Sequence, residues 1–175
     1  CVSCFIGRGT ESDWEESWNG LHWTTGFAEL AGRVCPAPCE TACVLAINET
    51  AVTIKQIERT IGDHGWDEDW IKPEPAEHKS GKNIAIVGAG PAGMAAGQQL
   101  ARAGHSVVIY ERADEPGGLL MYGIPDFKLE KDRIRARVEQ MEAEGVEFRC
   151  GVEIGKDVPA KELVEDYDAV LLDRK

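Results

Sequence analysis

The stretch from Lys82 to Gly97 constrains the fold more than any other part of this 175-residue chain. A strand-like run over residues 82–87, apolar from Ile84 on, breaks at Gly88, Ala89, Gly90, Pro91, Ala92 and Gly93, then resumes as an alanine-rich helical pattern. A buried strand, a glycine-rich turn and a helix start in unbroken succession predict a βα unit. Gly88 suits a tight turn, Gly90 lets backbone approach a ligand, and Gly93 with Gly97 lets the helix pack close on its strand. Pro91 falls in the first helical turn, where its missing N–H costs nothing. The free N–H groups of that helix start, at the positive end of its dipole, suit a pyrophosphate.

A glycine motif alone is weak evidence, so the sequence that follows decides its weight. The helix runs through Ala103 and stops at Gly104, residues 105–110 read as a second apolar strand, and Glu111 lies a little over twenty residues past Gly88. An acid there accepts hydrogen bonds from ribose hydroxyls and favours a cofactor without a 2′-phosphate. The plainer alternative is a βαβ unit that binds nothing, with Glu111 a solvated strand end. Further on, residues 129–144 carry Ile134, Val138 and Met141 on one helical face before Gly145. A third strand over 146–150, a short helix over 160–165 and a fourth strand over 169–172 complete an alternating pattern. The expected class is α/β: a Rossmann-like βαβ domain with a parallel sheet over 82–175, truncated, preceded by a small helical cysteine-rich domain.

Residues 1–72 form that first domain, with helices expected over 13–21 and over 53–61, where Ile54, Ile57, Glu58 and Ile61 recur at helical spacing. The five tryptophans read as bulk for a small core. Residues 73–81, with Pro73 and Pro75, have linker composition. Five of the six cysteines precede residue 44, as Cys1 and Cys4, then Cys35, Cys39 and Cys43. Such short spacing suits thiolates converging on an iron–sulfur cluster better than a disulfide net, with a zinc site as the alternative. Cys150 reads as a buried thiol without a chemical role. A net charge of −12 argues against nucleic-acid or anionic membrane partners, and no apolar run is long enough to span a bilayer. His22, His64, His78 and His105 lack ligand spacing and read as structural or solvated. The start at Cys1 reads as that of a fragment, a processed chain or a sequence whose beginning is missing.

Four blocks together carry a resemblance: residues 32–44 with their three cysteines, residues 52–58, the glycine turn at 88–93, and residues 117–131 around Tyr122, Gly123, Ile124 and Pro125. The chain resembles the small (β) subunit of NADPH-dependent glutamate synthase, from roughly Asp13 to Leu172. It is similar as well to the related N-terminal region of dihydropyrimidine dehydrogenase and to NADPH–ferredoxin oxidoreductase subunits. The resemblance implies a cytoplasmic electron-transfer flavoprotein. NADPH reduces FAD, and electrons leave through [4Fe–4S] clusters to the glutamate synthase large subunit or another redox partner, for glutamate synthesis. On this resemblance Gly88, Gly90, Pro91, Ala92 and Gly93 surround the FAD pyrophosphate, and Glu111 and Arg112 lie at the adenosine ribose. Gly118 and Leu119 flank the phosphate–ribityl region, Gly123 and Ile124 approach the isoalloxazine, and Val152 meets the adenine. The metal ligands it implies are drawn from Cys1, Cys4, Cys35, Cys39, Cys43 and Glu58. Cys1, Cys4, Glu58 and one later thiolate hold one cluster, and a second is short of ligands.

Three differences shape the expected function. Cys1 and Cys4 are not followed by the family's second cysteine pair. The family's Ala-Thr-Gly turn after the fourth strand is replaced by Asp173, Arg174 and Lys175. No second glycine-rich dinucleotide motif occurs, so the nicotinamide domain is expected to be missing and the isolated chain inactive alone. The reading is a partial small subunit with no catalytic residue of its own. The other reading is a non-catalytic remnant or dinucleotide-binding module.

Overall fold

The computed structural model describes residues 13–173. The chain divides into two compact units, Cys1–Lys72 and Pro73–Lys175.

In the first unit the helices are α1 (Trp14–His22), α2 (Ala28–Val34), α3 (Pro38–Thr41) and α4 (Ile54–Asp67), with a 3-10 turn at Val44–Ile47. The Asp13 carboxylate caps α1 by accepting the Glu16 N–H at 3.3 Å. No helix was expected at α2, and α4 runs past the expected end at residue 61. Both differences come from glycines that act here as packing notches. A Cβ at Gly32 would meet the Arg59 backbone at 2.7 Å, and one at Gly62 the Glu29 nitrogen at 2.8 Å, so α2 and α4 lie in direct backbone contact. That packing outweighs the roughly 1 kcal/mol that glycine costs inside a helix. The Arg33 guanidinium, 3% exposed, forks onto both Asp63 oxygens at 2.7 and 3.1 Å and ties the same two helices. Trp18, Leu21, Ala28, Ile61 and Ile71 form the core, with Trp14, Trp66 and Trp70 against it, whereas Trp23 is 89% exposed and packs nothing. His22 stacks on Trp18, and His64 sits between Trp14 and Trp70, as ring neighbours rather than ligands.

The second unit alternates β1 (Asn83–Val87), α5 (Pro91–Arg102), β2 (Ser106–Glu111), α6 (Leu119–Tyr122), α7 (Lys131–Ala143), β3 (Val146–Cys150), α8 (Ala160–Asp166) and β4 (Ala169–Leu172). The four strands form one parallel sheet in the order β3-β2-β1-β4. The chain builds outward from β1 through β2 to β3, then returns to the other side of β1. This makes the C-terminal end of β1 a topological switch point, where open parallel sheets leave a crevice for ligands. Ile86 and Ile109, paired in register, are fully buried together with Met94, Ile134 and Met141. Residues 73–81 contain no helix or strand, and Glu74 and Ser80 are hydrogen-bonded onto Glu144 and Gly104 of this unit. The helix expected from residue 129 starts at Lys131, because buried Leu129 and the extended Glu130 cap turn the chain first. No described helix is long and apolar enough to cross a membrane.

Candidate functional site

The glycine turn sits at the switch point. Gly88 has φ 106°, in the left-handed region, and its N–H donates to the Tyr110 carbonyl at 2.8 Å. Gly90 is the N-cap of α5, with exposed Pro91 and Ala92 in the first turn. A Cβ on Gly93 would collide with the Gly88 carbonyl oxygen. Glu111 ends β2 only 4% exposed. Its Oε2 accepts the Ala89 N–H at 2.8 Å and its Oε1 the Ala113 N–H at 2.9 Å. The carboxylate therefore braces the glycine turn from behind, and each oxygen keeps a second lone pair for a hydroxyl. Gly88, Glu111, Arg112 and Val152 come together around a pocket of about 450 Å³, shared with Val87, Tyr110, Glu153, Ile154 and Asp173. Its shape and lining suit an adenosine.

At the mouth of α5 lies Asp173, which the sequence marked as a departure from the family's turn without indicating its contact. Asp173 continues the β4 ladder, its N–H donating to the Val87 carbonyl at 2.9 Å. Its Oδ2 accepts the Gly93 N–H at 3.2 Å and lies 2.7 Å from where a Cβ of Gly90 would stand. The pocket beside Glu111 has room for an adenosine, and the N-terminus of α5 carries this carboxylate. Only the β1–β4 register, Val87 opposite Leu172, brings residue 173 over Gly88.

The second expected segment meets the first by backbone. The Gly117 N–H donates to the Ala89 carbonyl at 2.7 Å, and Gly117 and Gly118 both have positive φ, 115° and 53°. Residues Leu119–Tyr122 form one helical turn, α6, before the irregular run from Gly123 to Pro125. The Lys131 ammonium gathers this loop, donating to the carbonyls of Leu120 at 3.0 Å, Leu129 at 3.4 Å and Ile124. The Tyr122 hydroxyl donates to Asp114, holding that carboxyl below the usual range, and accepts the Glu115 N–H. Leu119 and Tyr122 remain 63% and 54% exposed beside Gly123, an apolar lip able to face a flat ring. Sequence reading placed Lys131 in the block but not as its clamp.

In the first unit Cys35, Cys39 and Cys43 are free thiols. Backbone N–H groups of Val52, Leu45 and Ala46 draw the Cys43 thiol below its usual range. The Ala37 N–H donates to Cys35 Sγ at 3.3 Å. Burial and the nearby Glu40 carboxylate push the Glu58 carboxyl up. Glu40 in turn accepts the Lys55 N–H at 2.9 Å, tying α3 to the start of α4. Among the described residues no three of these side chains gather closely enough to hold a metal ion. Cys1 and Cys4 lie outside the described residues. Cys150 is half-buried, and burial raises its thiol.

Comparison with known proteins agrees with both halves. The family model of dihydropyrimidine dehydrogenase domain II, 4Fe-4S cluster, matches residues 1–70, and that of the NAD(P)-binding Rossmann-like domain matches residues 86–168. A "Glutamate synthase [NADPH] small chain" of Mycobacterium tuberculosis is 54% identical over 91% of this chain and 33% of its own length. The protein of the same name from Bacillus subtilis is 52% identical over 91% of this chain and 32% of its own. "Glutamate synthase [NADH]" of Schizosaccharomyces pombe is 53% identical over 93% of this chain and 8% of its own. Over nine-tenths of its length the chain is therefore a homologue of the glutamate synthase [NADPH] small chains, and it spans about one third of the length of those small chains.

Proposed function

We propose that this chain is the FAD- and iron–sulfur-binding portion of a glutamate synthase small subunit, with electrons from NADPH passing through it to a large subunit or a similar redox partner. In this reading NADPH is bound by a separate nicotinamide domain. The observation that carries the reading is the glycine turn at the start of α5, braced by Glu111 beside the 450 Å³ pocket at the switch point. Bound FAD supplies the chemistry of accepting a hydride and releasing single electrons. The chain's own residues bind and orient. Glu111 fixes the turn and offers its free lone pairs to a ribose. The Gly117–Lys131 loop presents its apolar lip, with Lys131 clamping the carbonyls beneath. N–H groups at Cys43 stabilise a thiolate, as a [4Fe–4S] ligand needs. Asp173 at the mouth of α5 favours the alternative of a non-catalytic dinucleotide-binding module.

Absorption after anaerobic reconstitution with iron, sulfide and excess FAD tests the proposal. The expected result is structured flavin bands over a broad iron–sulfur absorbance, with about one flavin and about four iron atoms per chain. A folded but colourless protein rejects it.

A further inference from the structure

The glycine turn is shaped to meet an anion, and at the mouth of α5 the chain already supplies one. Asp173 Oδ2 accepts the N–H of Gly93, the third residue of a twelve-residue helix, where a negative charge also gains from the dipole. Its backbone is held in place. The Asp173 N–H is bonded to Val87, and its carbonyl oxygen and Cβ lie 2.9 and 3.2 Å from where a Cβ of Gly88 would stand. Rotation of the side chain frees the Gly93 N–H without breaking that backbone bond. Around the adjoining pocket the charged side chains are the carboxylates of Glu111, Glu153 and Asp173 against the single guanidinium of Arg112. The lining as built opposes a polyanion.

We infer that Asp173 is a specificity-determining residue of the dinucleotide site: its carboxylate stands in the pyrophosphate subsite, so the crevice takes an adenosine freely and a pyrophosphate only once this side chain is displaced. A dinucleotide brings two negative charges to the place where one is held, and must also replace the bond to Gly93. Both effects weaken phosphate-bearing ligands and leave an uncharged nucleoside alone. The inference rests on the proposed flavin site.

Calorimetric titration of FAD, ADP and adenosine into the chain, Asp173→Ala and Asp173→Asn tests it. FAD and ADP are expected to bind Asp173→Ala at least about tenfold more tightly than the wild-type chain. Asp173→Asn, which removes the charge and keeps the bulk, should fall between them. Adenosine should bind all three within about twofold. Circular dichroism establishes that each variant is folded. If loss of the α5 cap unfolds Asp173→Ala, Asp173→Asn decides, because its amide oxygen still accepts from Gly93. Unchanged FAD and ADP affinities in the folded variants overturn the inference. If all proteins bind FAD equally well, the flavin site stands and only the role of Asp173 falls. If none binds FAD or adenosine, both fall.

Discussion

At the scale of single residues, glycines that look alike in the sequence do different work. Gly93 and Gly97 both read as close-packing positions. A Cβ on Gly93 would strike the Gly88 carbonyl oxygen, which belongs to the turn itself and cannot retreat without breaking it. One on Gly97 would meet Ile109 Cδ1 at 2.6 Å, the free end of a side chain that can change rotamer. Gly93→Ala is expected to cost about 3 kcal/mol or more, among the severe single substitutions. Gly97→Ala should stay within about 1 kcal/mol of wild type, since alanine's helix propensity offsets the crowding. Urea unfolding followed by far-UV circular dichroism separates the two, and equal midpoints would contradict the packing argument. The glycine spacing and Glu111 were legible because they obey a local rule of strand, turn and helix. The capture of Glu111 by the Ala89 and Ala113 N–H groups was not, since it depends on backbone torsions. Asp173 stood out as a departure from the family's turn, but its bond to Gly93 was not legible, because it is set by strand register across some eighty residues of chain.

Among the elements, those with a clear apolar period were legible and those formed by tertiary contact were not. β1, α5, β2, β3 and β4 appeared within a residue or two of their expected bounds. Helix α2 exists because Gly32 and Gly62 let it lie on α4, which no window of seven residues discloses. The join of α8 to the sheet shows a further contact of this kind. The Tyr167 hydroxyl meets that of Tyr110 at 2.9 Å, and Arg149 Nη1 donates to Tyr110 from β3 at 2.9 Å. Burial first, and the Tyr110 hydroxyl second, push the Tyr167 phenol up to about 12, from an ordinary value of about 10. A raised value means that the fold favours the protonated phenol. Its contribution is complete below about pH 10 and is lost as pH rises through about 12. Tyr167→Phe should therefore cost about 1 kcal/mol near pH 8, through the lost hydrogen bond. That deficit should shrink as pH climbs from about 10 towards about 12, because the phenylalanine has no proton to lose. Denaturant melts at a series of pH values check this, and a deficit constant through alkaline pH would show that the pair does not couple to folding.

For the whole molecule, the distribution of aromatic residues gives a way to watch each unit separately. All five tryptophans fall between residues 14 and 70, and all three tyrosines between 110 and 167. Tryptophan fluorescence thus reports on the first unit, whereas far-UV circular dichroism reports on both. Each unit has its own buried core, around Trp18 and Ile61 in one and around Ile86 and Ile109 in the other. In the second, the Glu144 side chain is 0% exposed. It accepts Arg102 Nη2 at 2.7 Å, Arg102 Nε at 3.1 Å and the Glu74 N–H at 3.1 Å, fastening α5, the end of α7 and the segment before β1. Removing one partner of a buried pair strands the other charge, so Glu144→Ala should destabilise the second unit by about 3 kcal/mol. The residual contact of Arg102 with Glu74 at 3.4 Å is too solvated to replace it. The expected outcome is a lower urea midpoint for part of the circular dichroism signal, with the tryptophan transition unmoved. If the tryptophan transition shifts by the same amount, the two units unfold as one, and the separate cores do not confer separate stability.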